Sequence, residues 1–266
     1  MRKLSVLLIA AMALFSNAMY AQVADNNMFN HLGVGVSVGT DGIGFDVAAP
    51  IGNYVQARAG YTFIPSIKPT ITVGYDRTKN GVSTHYEDDA QLTIKKGDFK
   101  ILFDVYPFKN SNFRVTAGAF IGGSEIATLR NKGPLSGVEP DEYGTAKISL
   151  NNAGTLEFGT DPEGNVKARV KVGGFKPYLG IGFGRSVPNK LVSVSCDLGV
   201  QFWGSPKAEV YDYNVIEELS GWREIKKDDF DKTYSKDEKD AYNGLKLLGN
   251  VTVYPTINVR VGFRAF

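Results

Sequence analysis

A repeated alternation constrains this chain more than any other feature. In residues 175–184, Phe175, Pro177, Leu179, Ile181 and Phe183 alternate with Lys176, Tyr178, Gly180, Gly182 and Gly184. A β-strand sends successive side chains to opposite faces, so a period of two marks a strand with a different solvent on each side. Eight segments carry the pattern: 31–39, 43–51, 54–64, 99–108, 113–122, 175–184, 191–203 and 254–266. After the first hairpin, at Thr40-Asp41-Gly42, the connections alternate in length: 52–53, 109–112 and 187–190 are short, while 65–98, 123–174 and 204–253 are long. In an up-and-down barrel alternate connections share one end, so the short turns gather at one rim with both termini and the long ones at the other. The expected fold is all-β: an eight-stranded antiparallel up-and-down transmembrane barrel with long outer loops.

Which face meets which solvent depends on what each can accommodate. One face carries Phe45, Tyr61, Phe63, Phe103, Phe113, Phe175, Phe183 and Phe263; the other carries Gly33, Gly35, Gly118, Gly180, Gly182, Gly199 and Gly262 with isolated charges. An eight-stranded barrel has an interior just wide enough for side chains or one small ligand. Many large rings do not fit there; glycines and a few charges do. A soluble, lipocalin-like barrel with the apolar face inward is therefore disfavoured, and the apolar face is expected to meet lipid. The polar face then forms a lumen network of Asp46, Arg58, Lys100, Asp104, Arg114, Lys176, Asp197 and Arg260. Acids and bases fall on neighbouring strands, Asp46 beside Arg58, Asp104 beside Arg114, and Asp197 beside Lys176 and Arg260, as buried charges require. Aromatic residues near strand ends read as two interfacial girdles, with Tyr54, Phe108 and Phe113 at the short-turn rim and Phe63, Phe99, Phe175, Phe202 and Tyr254 at the other.

The N-terminus reads as a secretory signal over residues 1–21: Arg2 and Lys3, a short apolar run from Leu4 to Phe15, then small residues. Cleavage is expected after Ala21, with Ala18 as the competing site, leaving 22–266 as one barrel domain. The single cysteine, Cys196, excludes a disulfide framework. A net charge of +2 gives no bulk field for nucleic acid. Within the long connections, 68–76 and 147–157 look extended, suggesting that outer hairpins prolong the barrel. Asp161-Pro162-Glu163-Gly164 is a turn signal. Ser235 and Glu238 resemble a capping box before a short helix over 239–248, preceding the last strand.

Tyr106-Pro107-Phe108 before a turn, the run Pro177-Tyr178-Leu179-Gly180-Ile181-Gly182, and the ending YPTINVRVGFRAF together resemble small Gram-negative outer-membrane barrels. The likeness is to the eight-stranded porin-family or outer-membrane-protein-A-like barrels, in a Bacteroidetes-type version, and spans the chain from about His31. It implies an outer-membrane location, a lipid environment, and Phe263 with Phe266 as a signal for the barrel-assembly machinery. Phe263 lies in the apolar phase and Phe266 in the other, so a bulge near Arg264–Ala265 would be needed to align both.

Catalytic chemistry is sparse. Of two histidines, His31 starts a strand, and His85 lies beside Glu87, Asp88 and Asp89 in a long connection. That HYEDD stretch reads as a solvated acidic loop before a hydrolytic or metal site. No metal site, cofactor or catalytic residue is expected. The extracellular partner is not legible. The expected role is structural or surface interaction with a salt-bridged lumen; a small porin and, less favoured, an outer-loop hydrolase are the alternatives.

Overall fold

A computed structural model of the chain describes residues 29–108, 111–149, 157–213, 220–226, 243, 247 and 250–265. The expected signal peptide, most of the expected helix over 239–248, and Phe266 lie outside the described residues.

Fifteen strands are described: β1 (Gly33–Gly39), β2 (Gly42–Pro50), β3 (Val55–Ile67), β4 (Thr70–Lys79), β5 (Val82–Val105), β6 (Phe113–Gly122), β7 (Glu125–Asn131), β8 (Lys147–Ser149), β9 (Glu157–Gly159), β10 (Lys167–Lys171), β11 (Phe175–Phe183), β12 (Val192–Phe202), β13 (Lys207–Asp212), β14 (Gly221–Glu224) and β15 (Val253–Arg264). Eight of them close into an antiparallel barrel: β1, β2, β3, the second half of β5, β6, β11, β12 and β15, which returns to β1. These are the eight alternating segments. The fourth ends at Val105 rather than Phe108, because Pro107 offers no N–H to continue a ladder. Register along the closing β1–β15 pair is continuous from Gly39 with Asn258 to Gly33 with Arg264, without a bulge up to that point.

The remaining strands build a second sheet on the long-loop side, in the order β9-β8-β4-β5-β7-β10-β13-β14. Strand β5, with 24 residues, belongs to both parts. The β4–β5 hairpin turns at Asn80-Gly81, where Lys79 pairs with Val82 and both turn residues have positive φ. Asn-Gly suits that turn because its mirror-image geometry matches the twist of the strands. At Asp161–Gly164 the Asp161 carbonyl accepts from Gly164 N at 2.9 Å and its side chain from Glu163 N at 3.1 Å. The outer sheet curls so that β9 approaches β13, with Gly159 N donating to Asp212 Oδ1 at 2.8 Å. Its concave side packs Tyr75, Leu135, Val138, Ala146, Ile148 and Val210 into a small core.

Along β5 one face points inward over most of the strand's length. Tyr86, Asp88, Ala90 and Leu92 face the outer core; Lys96, Asp98, Lys100 and Asp104 face the barrel interior. The opposite face runs from His85, Glu87, Asp89 and Lys95 to Phe99, Ile101, Phe103 and Val105. Polarity inverts between Lys95 and Phe99 while the pleat does not slip, because the solvent outside the strand changes.

Candidate functional site: the barrel lumen and its two rims

The barrel's outer surface is an apolar belt. Phe45, Val47, Ile101, Phe103, Leu179, Ile181, Leu198, Ile257 and Val259 are all exposed, Phe99 by 65%. A continuous apolar surface of this kind belongs in hydrocarbon, not water. Phe108 and Phe113 lie 6.3 Å apart at the short-turn rim, and Tyr61 and Phe99 lie 5.0 Å apart towards the other. Tyr254 departs from its expected girdle position: it is on the lumen face and stacks on Trp203 at 4.4 Å. Its even number already places it opposite Ile257 and Val259.

Inside, the eight expected lumen residues are all buried, Asp104, Arg114 and Lys176 completely. Of the pairs expected between neighbouring strands, Asp104–Arg114 forms, at 3.4 Å, while the others are re-partnered. Arg58 on β3 reaches Asp104 at 2.7 Å and Asp197 on β12 at 3.1 Å. Strands β3 and β12 lie four steps apart in a ring of eight, so this contact spans the barrel diameter. Arg114 adds contacts to Asp197 at 2.7 Å and Asp104 at 3.4 Å, completing a four-membered ionic cluster. Asp46 pairs with Arg260 at 2.6 Å and Lys100 at 3.2 Å, rather than with Arg58. Lys176 pairs not with Asp197 but with Asp98, at 2.7 Å. The reason is geometric: in so narrow a barrel an arginine is long enough to cross the axis, so partners are chosen by depth as well as by strand order.

Asp98 and Lys96, which pair at 2.8 Å, are lumen residues that sequence reasoning left in a connection. Lys96 also lies 5.8 Å from the Trp203 ring and 5.4 Å from that of Tyr254, beneath the outer sheet. The signal in the sequence was the alternation of Lys96, Asp98 and Lys100 with Lys95, Gly97 and Phe99.

Glycine makes room for these cations. A Cβ at Gly35 would sit 2.3 Å from Arg260 Cζ. At the short-turn rim the β11–β12 turn folds into the barrel mouth. Ser186 N donates to Tyr106 Oη at 3.0 Å and to Gln56 Oε1 at 3.1 Å, and Val187 N donates to Gln56 Oε1 at 2.9 Å. The Ser186 carbonyl accepts from Arg260 at 3.0 Å, while Ser186 Oγ donates to Asp104 and Arg114 donates to the Gly184 carbonyl. Between the ionic cluster and the outer rim, a void of about 10 Å³ is lined by Arg58, Lys100, Leu102, Phe120, Tyr178 and Asp197. That is room for about one water molecule.

The HYEDD stretch is strand, not loop, which distributes its residues over two faces. His85 pairs across the ladder with Asp76 at 2.7 Å, and its other ring nitrogen is 4.0 Å from Glu87. Asp88 points inward, accepting from Tyr75 Oη at 2.8 Å and Ser136 N at 2.8 Å. Alternation thus sets Asp88 apart from His85, Glu87 and Asp89, which share the outward face. Among the described residues no group of three His, Cys, Asp or Glu side chains could hold a metal ion. Cys196 is a free thiol on the outward phase of β12. Phe263 is exposed on the belt.

No known family model matches the chain, and no curated protein sequence matches it. Among the solved structures similar to the chain are two at 18% identity. One is Acinetobacter baumannii CarO, with a TM-score of 0.44, covering 91% of this chain and 99% of that one. The other is Acinetobacter baumannii CarO2, with a TM-score of 0.45, covering 90% of this chain and 100% of that one. Function is therefore argued from the belt and the lumen of this chain alone.

Proposed function

We propose that this chain is an integral outer-membrane β-barrel of the small porin-like type, with a lumen closed by its own ion pairs and a role that is structural and surface-directed. The observation that carries the reading is the Arg58–Asp197 contact across the full diameter, with the Ser186–Val187 turn lodged beside the same network. The charges of this central cluster, each paired with an opposite one, have no spare valence for a permeating ion. The alternating connection lengths and the secretory-type N-terminus support placing the outer sheet at the cell surface and the short turns in the periplasm. In that role the outer sheet supplies the surface for extracellular partners, while lipid covers the belt and the barrel-assembly machinery inserts the chain.

Planar-bilayer recordings test the closed lumen. The purified protein is expected to give no stable solute-sized openings, whereas Arg58→Ala, which removes the diametric contact, gives intermittent ones. Stable openings in the wild-type protein, altered by Arg58→Ala, would replace this reading with that of a small porin. A gel shift on heating, with surface labelling of outer-sheet lysines such as Lys79 on intact cells, tests location and orientation together. Recovery in the aqueous fraction without detergent would sink the membrane assignment.

A further inference from the structure

Among the described lumen residues, seven buried cations face five buried carboxylates: Arg58, Lys96, Lys100, Arg114, Lys176, Arg185 and Arg260 against Asp41, Asp46, Asp98, Asp104 and Asp197. The excess is positive: six of the cations share four of the carboxylates, Asp46, Asp98, Asp104 and Asp197. Arg185, 4% exposed in the β11–β12 turn, contacts none. Its guanidinium lies 4.9 Å from the Tyr106 ring centroid, and its Nε and Nη1 have no hydrogen-bond acceptor among the described residues. The same tyrosine donates to Gln56 Oε1, and the Gln56 amide nitrogen is likewise buried with no acceptor among the described residues. The amide is not simply reversed, since Gln56 Oε1 already accepts from Tyr106, Ser186 and Val187. Two buried donor groups therefore flank one aromatic ring at the short-turn mouth, in a lumen with surplus positive charge.

We propose that Arg185 and Gln56 form an anion site at this mouth that takes a small oxyanion, a phosphate or a carboxylate. A buried guanidinium left on an aromatic face keeps its in-plane N–H groups unsatisfied, and cation–π attraction does not replace those bonds. An oxyanion bonds one edge of the guanidinium in its plane, and a further bond from the Gln56 amide fixes its orientation. Tyr106 holds the guanidinium over its ring. The site goes beyond the closed-lumen reading: it needs the turn to sit where it does, and a failed site leaves the conductance result untouched.

The test is the thermal stability of the detergent-solubilised protein, read by the heat-modifiable gel shift. Inorganic phosphate is titrated against chloride at equal ionic strength, in a detergent that carries no phosphate. Wild type is expected to gain about 4 °C saturably with phosphate. Arg185→Met is expected to match or exceed wild type in chloride, because it removes an unpaired buried charge, and to gain nothing from phosphate. Arg185→Lys, a point charge without the fork, is expected to respond weakly. A second arm replaces free phosphate with phospholipid in the micelle. A response to lipid alone assigns the oxyanion to a headgroup, and a response to free phosphate assigns it to a soluble anion; both support the site. Equal responses of wild type and Arg185→Met mark an adventitious ion only, and no response in either arm leaves no site; both overturn the proposal.

Discussion

The barrel and the outer sheet share a strand and a pleat, yet they are built inside out relative to each other. Before Lys95 in the chain, β5 turns Tyr86, Ala90 and Leu92 inward and His85, Glu87 and Asp89 outward; beyond it, charges point inward and Phe99, Ile101 and Phe103 outward. The outer sheet is stabilised as any water-soluble sheet is, by removing apolar surface from water. In a barrel whose apolar face meets lipid, as proposed above, that term is absent. The interior there must instead satisfy polar groups, and each unsatisfied one is expensive. The two halves of β5 should therefore respond oppositely to the same kind of substitution.

The largest difference is expected from removing one acid. Asp104→Ala leaves Arg58 and Arg114 short of a partner at full burial and should cost about 3–5 kcal/mol. Glu209→Ala, which removes the 2.6 Å partner of Arg169 in the partly solvated outer sheet, should cost about 1 kcal/mol or less. Urea titrations of the folded band on cold gels measure both. If the two variants unfold together, the lumen is wetter than its geometry implies.

Adding a charge to the outward face comes next. Phe103→Arg on the belt should cost about 2–4 kcal/mol, whereas Glu87→Arg, on the same face of the same strand, should stay within about 0.5 kcal/mol of wild type. Equal penalties would mean that the solvent boundary does not fall between them.

Adding bulk inward should change sign between the halves. Gly35→Val meets Arg260 and should destabilise by about 1–3 kcal/mol. The outer sheet holds a cavity of about 80 Å³ lined by Val73, Tyr75, Leu129, Ile148, Ala168 and Val210. There Ala168→Val adds contacts to an underfilled core and should stabilise by up to about 1 kcal/mol. Thermal melts of the two variants against wild type decide the sign.

The smallest effect is a pH dependence confined to the outer sheet. Arg77 and Lys79 donate to Glu142, at 2.5 and 2.9 Å, and hold its carboxyl at about 2, below the usual 4.5. A depressed carboxyl contributes stability above its unfolded value that is lost as pH falls towards the folded one. Protease nicking of the outer sheet should therefore rise between about pH 4.5 and 2 while the barrel band persists, and Glu142→Gln should flatten that rise. Nicking that rises equally in Glu142→Gln would assign the effect to other carboxylates. Tyr75 titrates in the opposite sense, its burial beside Asp88 pushing the phenol up, so it adds nothing in this range.

Much of this was legible in the residues. Period-two alternation located all eight barrel strands and the correct outward face, because a lumen this narrow admits Gly35 and Gly182 but not Phe45 or Phe103. The lumen charges were legible as a set, and the Asp104–Arg114 pair with them, but the other pairings were not. The upper half of β5 was missed even though Asn80-Gly81 announced its hairpin, because the alternation was followed only while its apolar phase stayed outward. At Lys95 the phase inverts, and an inverted pattern looks like the end of a strand when it is a change of surroundings.

The sequence by itself determined which residues alternate, and so the number of barrel strands and the face each side chain occupies. Both come from the pleat, a local property of the backbone. Only the tertiary structure decided that Arg58 crosses the axis to Asp197, that Ser186 and Val187 enter the barrel mouth, and that Arg185 is left without an acid. Those contacts depend on ring closure and on the depth at which each long side chain meets the axis, distances that arise only when β15 returns to β1.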